Sequence, residues 1–200
     1  MSTLSEIEPG LLLAAPSLGD PNFEGTVVLL GLHDDPSGSL GWIVNGPAIA
    51  PAEAIVRATE LVKATDIVPE AFQRPARRGG PVGTESVWIL YDRRAEQGAP
   101  IEKLPGSIEI GAEIAVTASP EALAILLAGK GPATFQLLVG YAGWAPGQLA
   151  REVSVGAWLP ATAKAPLLFD APTDTLWRRS YADAIGTVPA AFVSTTRGSA

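Results

Sequence analysis

The sequence contains no cysteine, a single histidine and a single methionine, and only four of its fourteen basic residues are lysine. Each shortage closes off a class of chemistry. Without a thiol there is no disulfide framework, no cysteine nucleophile, no thiolate-held zinc and no iron–sulfur cluster. One histidine leaves a metal ion little but carboxylates, and the pairs Asp34–Asp35 and Glu109 with Glu113 lack the spaced Asp, Asn and Gly pattern of a calcium loop. No metal and no cofactor is expected. Also missing is any apolar run near the ~20 residues that span a bilayer. Leu11–Ala15 is too short for a signal-peptide core, and Met1–Gly10 carries two Glu and no basic residue. The expectation is a soluble cytoplasmic protein that does not engage a membrane.

Positive charge is scarce as well. A formal net charge of −7 over 200 residues repels nucleic acid unless a local basic patch overrides it, so direct nucleic-acid binding is disfavoured. What is abundant is apolar residues, at 47%, with 21 Gly and 18 Pro. A chain of this size can bury about 70% of its extended surface. The Gly and Pro residues are scattered as punctuation between short apolar runs, and no repeat or long linker divides the chain. One domain over residues 1–189 is expected. Periodicity fades over residues 190–200, which read as a poorly ordered tail.

Thr26–Leu32 and Leu40–Asn45 carry the strongest strand signals, and the turn-forming Asp34-Asp35-Pro36-Ser37-Gly38 between them predicts a hairpin with its loop near His33–Ser39. Leu11–Ala15, Ser86–Tyr91, Ser107–Ile110, Phe135–Tyr141, Ala157–Ala161 and Leu167–Phe169 are further strand candidates. Ser119-Pro120-Glu121 marks a helix start, with the helix running over Ala122–Ala128 and stopping at Gly129. Pro51–Lys63, Pro146–Val153 and a run from Thr173 or Asp174 to Ile185, closed by Gly186, read as three more helices. Strands outnumber helices and the first two have no helix between them. The fold class is therefore α+β with a largely antiparallel or mixed sheet.

Candidate chemistry is thin. His33 lies beside Asp34 and Asp35 and is either a general base or a hairpin-capping side chain. Ser17, Ser37, Ser39 and Ser86 offer hydroxyls, but none stands in a Gly-x-Ser-x-Gly elbow. Neither Gly79–Gly83 nor Gly143–Gln148 fits a phosphate loop or a dinucleotide fingerprint. The backbone N–H groups of Gly147 and Gln148, at a strand-to-helix turn, could receive an anion, or the turn is simply tight with Trp144 as a core plug. The cluster Arg74, Arg77 and Arg78 reads as a charged, solvated edge strand. Trp42, Trp88, Trp158 and Tyr141 lie within strand-like runs, where core packing is their usual role.

An ordered set of motifs resembles the YqgE/AlgH family of bacterial proteins. It comprises Leu12–Pro16, Asp20-Pro21-Asn22-Phe23, His33, Gly41–Pro47, Gly79-Gly80-Pro81-Val82, Gly140–Leu149 and Ala157-Trp158-Leu159. The resemblance covers roughly Leu11–Ile185. It implies an α+β domain with a bifurcated sheet, a small closed barrel and surrounding helices. The biochemical function of the family is not established; some members are labelled transcriptional regulators through an association with alginate production. The shared residues Asp20, Phe23, Gly41, Pro47, Gly79, Gly80, Pro81, Gly140, Tyr141 and Gly143 read as structural. His33, Asn45, Trp144, Gly147 and Gln148 read as candidate ligand-binding positions. This chain departs from many relatives at Asp34-Asp35-Pro36, after the histidine, and at Gly46, where they often carry Lys.

Three functions compete. The first is a binding or regulatory module for an unknown small molecule or protein partner, using polar residues on the Gly-rich turns. The second is a hydrolase with His33 as general base, oriented by Asp34 or Asp35. The third is a DNA-binding regulator, which the net charge opposes.

Overall fold

Dense β-branched and apolar runs become strands almost wherever the sequence places them. The computed structural model describes residues 7–34, 36–59, 61–63, 66–94 and 101–186; the expected tail at 190–200 lies outside the described residues. Among the described residues ten strands form: β1 Gly10–Ala14, β2 Val27–Asp34, β3 Gly38–Ile43, β4 Ala48–Pro51, β5 Pro75–Arg78, β6 Val82–Asp92, β7 Ile108–Ile110, β8 Ile114–Thr117, β9 Phe135–Trp144 and β10 Trp158–Ala161. Five α-helices accompany them within the same described residues: α1 Ala52–Arg57, α2 Pro120–Leu127, α3 Gln148–Ser154, α4 Ala165–Phe169 and α5 Leu176–Ile185. The class is α+β with an antiparallel sheet dominating, as the strand-rich pattern implied.

The strands pair in the order β10-β1-β2-β3-β9-β6-β8-β7, with β4 and β5 on a side branch. The fork lies in β9. Its first half pairs antiparallel with β6 and, at Leu138 and Val139, parallel with β5; its last residues, Ala142–Trp144, pair with β3. Gly140 stands where the partners change, at φ +76°, and a Cβ there would lie 2.7 Å from the Gly80 carbonyl oxygen. Gly80 passes still closer: its Cβ would fall 2.0 Å from the backbone of Tyr141. Gly79 laces the two arms together, donating its N–H to Val139 and accepting from Ile43, both at 2.7 Å. Gly79, Gly80 and Gly140 of the family motif thus serve the fork, where only a bare backbone fits.

The closed barrel does not form. The two ends of the strand path, β10 and β7, do not pair with each other, and the sheet is a curled half-barrel. Its curl nonetheless brings β7 back toward β2, with Ile108 Cγ2 3.5 Å from where a Cβ at Gly31 would stand. Leu11, Leu13, Leu29, Trp42, Leu90, Ile114 and Val116 fill the inside of the curl. Helix α5 covers one end, and there the Trp177 indole N–H and the Tyr181 hydroxyl both donate to the Ala14 carbonyl, at 2.9 and 3.1 Å. A second core lies under α1 and α2, where Phe72 meets Phe135 at 5.0 Å between ring centroids.

Several expectations change. Leu167–Phe169 is not a strand but belongs to α4, which begins at Ala165 with Pro166 in its first turn; an apolar run of three residues has no period to set its type. The helix expected over Pro51–Lys63 ends at Arg57, whose guanidinium donates to the Lys63 and Asp66 carbonyls and folds the following chain back. The arginine-rich β5 is not an edge strand, since it lies between β4 and β9. Its Ala76 is fully buried, and Arg77 Nη1 donates to the Gly46 carbonyl at 2.9 Å. Ser119 does cap α2, its hydroxyl accepting from the Ala122 N–H.

Candidate functional site

The hairpin of β2 and β3 extends past the sheet body. Its strands run to Asp34 and resume at Gly38, so His33 and Ser39 are not loop residues but a directly opposed pair in the ladder. Opposed residues project on the same face. Here the imidazole Nδ1 lies 2.7 Å from the Ser39 hydroxyl oxygen. At the turn, Ser37 donates its hydroxyl to Asp34 Oδ2 at 2.7 Å, and its backbone N–H bonds the Asp34 carbonyl. Asp35, the other candidate partner of His33, lies outside the described residues. Ser39 also opposes Trp144 of β9. These residues, with Leu32 and Leu40, line an open groove of about 390 Å³.

Trp144 belongs to that groove and to a second arrangement beneath it. Its indole N–H donates to Glu152 Oε2 at 2.9 Å, and the Trp158 indole donates to the same oxygen at 2.8 Å. Gln148 Nε2 reaches Glu152 Oε1 at 2.8 Å, while Gln148 Oε1 accepts from the Ala145 N–H at 3.0 Å. Phe23 closes the cluster, 6.4 Å from Trp144 and 5.5 Å edge-on from Trp158 between ring centroids. Asp20 presents it: the Asp20 carbonyl accepts from the Phe23 N–H, and its carboxylate from the Asn22 N–H. Glu152 was not among the residues expected to matter. A lone carboxylate in a short helix reads as a solvated face, and the only sequence signal is its i,i+4 spacing from Gln148.

The other candidates serve the backbone. Asn45 Oδ1 accepts from the Val27 N–H at 2.7 Å, and its Nδ2 donates to the Gly25 carbonyl at 2.9 Å, so the amide pins the turn before β2. It stands past the far end of β3, and the four strand steps from Ser39 to Ile43 alone span about 13 Å. Gly147, at φ +68°, precedes α3, and the Gln148 N–H donates to the Ala145 carbonyl. On β3 and β9 Gly41 opposes Ala142 and Gly143 opposes Leu40, the Pro47 carbonyl accepts from the Arg78 N–H, and Tyr141 packs edge-on to Trp88. Pro81 follows the Gly79–Gly80 crossing into β6. The structure therefore brings His33 and Trp144 to one groove and leaves Asn45 and the Gln148 side chain in the framework.

A charged bridge lies elsewhere. Arg94 bridges Asp92 and Asp170, joining the end of β6 to the end of α4. That bond holds the Asp170 carboxyl below its usual range and raises the guanidinium. Among the described residues no group of three or more His, Asp or Glu could hold a metal ion, and no helix is long and apolar enough to cross a membrane.

A half-barrel whose central strand forks around a glycine crossing, with two tryptophans fixed on one glutamate, defines an α+β protein of a particular construction. The AlgH-like family model, DUF179, matches residues 11–188, and the chain belongs to that family. It is 38% identical to a UPF0301 protein of Anaeromyxobacter dehalogenans over 196 residues, covering 94% of this chain and 92% of the relative. The solution structure of the AlgH protein from Pseudomonas aeruginosa has 29% identity and a TM-score of 0.71, covering 100% of this chain and 99% of that one. A crystal structure of a Corynebacterium diphtheriae protein, at 22% identity and a TM-score of 0.67 over 92% and 90% of the two chains, shares the fold.

Proposed function

We propose that this chain is a cytoplasmic binding module, formed as one domain over residues 1–189, whose ligand occupies the groove between the β2–β3 hairpin and Trp144. One observation carries the reading. His33 and Ser39 form a polar pair on the face of the hairpin that the apolar ring of Trp144 shares by its register with Ser39, in a groove whose lining also includes Leu32, Asp34, Ser37 and Leu40. Small-molecule sites combine an apolar lining with a few fixed polar groups in this way. The ligand this suits is a small, uncharged or cationic molecule with one hydrogen-bonding end, because Asp34 and the net charge of −7 oppose an anion. The same charge speaks against direct DNA binding as a means of regulation.

The test is a thermal-shift screen of metabolite classes, followed by backbone amide NMR with any hit. A ligand at 100 times its Kd adds about 2.7 kcal/mol of stability. The expected hit perturbs His33, Ser39 and Trp144 and loses its shift in Ser39→Ala. A screen without hits, or a hit that perturbs only amides remote from the hairpin, refutes the groove.

A further inference from the structure

We propose that the groove performs acyl transfer, with Ser39 as nucleophile and His33 as its general base; this rests on the groove being the ligand site. The chain has one imidazole and can activate at most one hydroxyl through it, and the structure assigns that imidazole to Ser39 at 2.7 Å. A nucleophile and base within hydrogen-bond reach are the working core of covalent acyl transfer. Both residues are set by the strand ladder, in consecutive register with Asp34 opposite Gly38. Neither needs a flexible loop to hold it. Ser37, by contrast, spends its proton on Asp34, and Ser17 lies exposed outside the groove.

In the reactive tautomer the proton sits on Nε2 and the Nδ1 lone pair faces the Ser39 hydroxyl. As Oγ forms a bond to the carbonyl carbon of an ester, its proton passes to Nδ1. The tetrahedral adduct then collapses and breaks the bond to the leaving oxygen, which departs as an alcohol with the proton from Nδ1. Water repeats the sequence: it gives a proton to Nδ1 as it attacks the acyl carbon, and Ser39 leaves with that proton, releasing a carboxylic acid. No oxidant, metal or further reactant enters the balance. The substrate class follows from the walls. The Trp144 ring, opposed to Ser39 in register and on the face of the His33–Ser39 pair, suits a short aliphatic acyl chain, and the Asp34 carboxylate in the lining repels a chain that ends in a second carboxylate. Neutral short-chain carboxylic esters fit both conditions.

The experiment uses the full chain and p-nitrophenyl butyrate, with rapid-mixing absorbance and peptide mass spectrometry. A burst of p-nitrophenolate is expected, with the butyryl group on the peptide that carries Ser39. Ser39→Ala abolishes the burst, and Ser17→Ala leaves it unchanged. His33→Gln, which can still hydrogen-bond Ser39, slows acylation by about 10²-fold or more while melting like the parent protein. A butyryl group found on a lysine, a tyrosine or His33 instead, or an undiminished burst in Ser39→Ala, overturns the proposal. Should the metabolite screen find a groove ligand while no burst appears, the acyl-transfer step falls and the binding reading stands; should both fail, both fall.

Discussion

Trp144 and Trp158, on strands β9 and β10, aim their indole N–H groups at the same carboxylate oxygen, Oε2 of Glu152, from 2.9 and 2.8 Å. Both rings are more than nine-tenths buried, so neither N–H has ready access to water as a substitute. With Gln148 on the other oxygen, one side chain of α3 satisfies three donors from three elements. Removing it therefore costs more than one bond. Glu152→Ala is expected to destabilise the protein by about 2–4 kcal/mol, since an unsatisfied buried donor costs about 1–3 kcal/mol. Urea denaturation measures this, and a loss under about 0.5 kcal/mol, the range of ordinary surface substitutions, contradicts it.

Asn45 performs a similar task for the backbone alone. Replacing it with Ala frees the Val27 N–H and the Gly25 carbonyl and is expected to cost about 1–3 kcal/mol. Acylation at Ser39, measured as a fraction of folded protein, remains at the parent rate. A lost burst in folded Asn45→Ala places the amide in the site after all.

Gly80→Ala tests the fork. Its Cβ would overlap the Tyr141 backbone at 2.0 Å, and no side-chain rotation can relieve a clash with main chain. The expected result is misfolded protein or a loss at or above the 1–3 kcal/mol usual for overpacking. Gly129→Ala is the control, because nothing lies within 4 Å of its Cβ position; at φ +68° it suffers only the local backbone penalty. Equal stability of the two variants contradicts the crossing.

Burial raises the Tyr181 hydroxyl above its ordinary value of about 10. The folded protein then holds that proton at pH values where the unfolded chain has released it. Stability from this group is complete below the unfolded value and declines as pH rises from about 10 through the folded one. Tm measured across that range should fall less steeply in Tyr181→Phe than in the parent. The variant starts from a lower Tm, because it also loses the bond to the Ala14 carbonyl. Parallel slopes refute the linkage.

Much of this was readable beforehand, and the failures have physical causes. β1, β2, β3 and β9 stand out because each is a dense apolar run, and α2 because Ser119 and Gly129 mark its ends. β8, only Ile114–Thr117, offered too few residues to show a period. The arginines of β5 concealed that only Ala76 need face inward for a strand to be covered. The hairpin is legible, but the turn-forming run from Asp34 to Gly38 masks the ends of its strands, and with them the pairing of His33 with Ser39. Glu152 was hidden for a different reason: two of its three partners lie on strands, and no local pattern records them.

The forked strand has a consequence for how the molecule opens. Leu137–Val139 and Ala142–Trp144 sit on either side of Gly140 and belong to different arms of the sheet, so neither arm can detach while β9 keeps its place. The chain should therefore come apart as one cooperative unit, with the amides of β9 exchanging with solvent deuterium only through global unfolding. Two arms that exchange at clearly different free energies would mean that the fork is a hinge between separately folding parts. A protein with one central strand shared in this way has no intermediate in which half of it is safely finished.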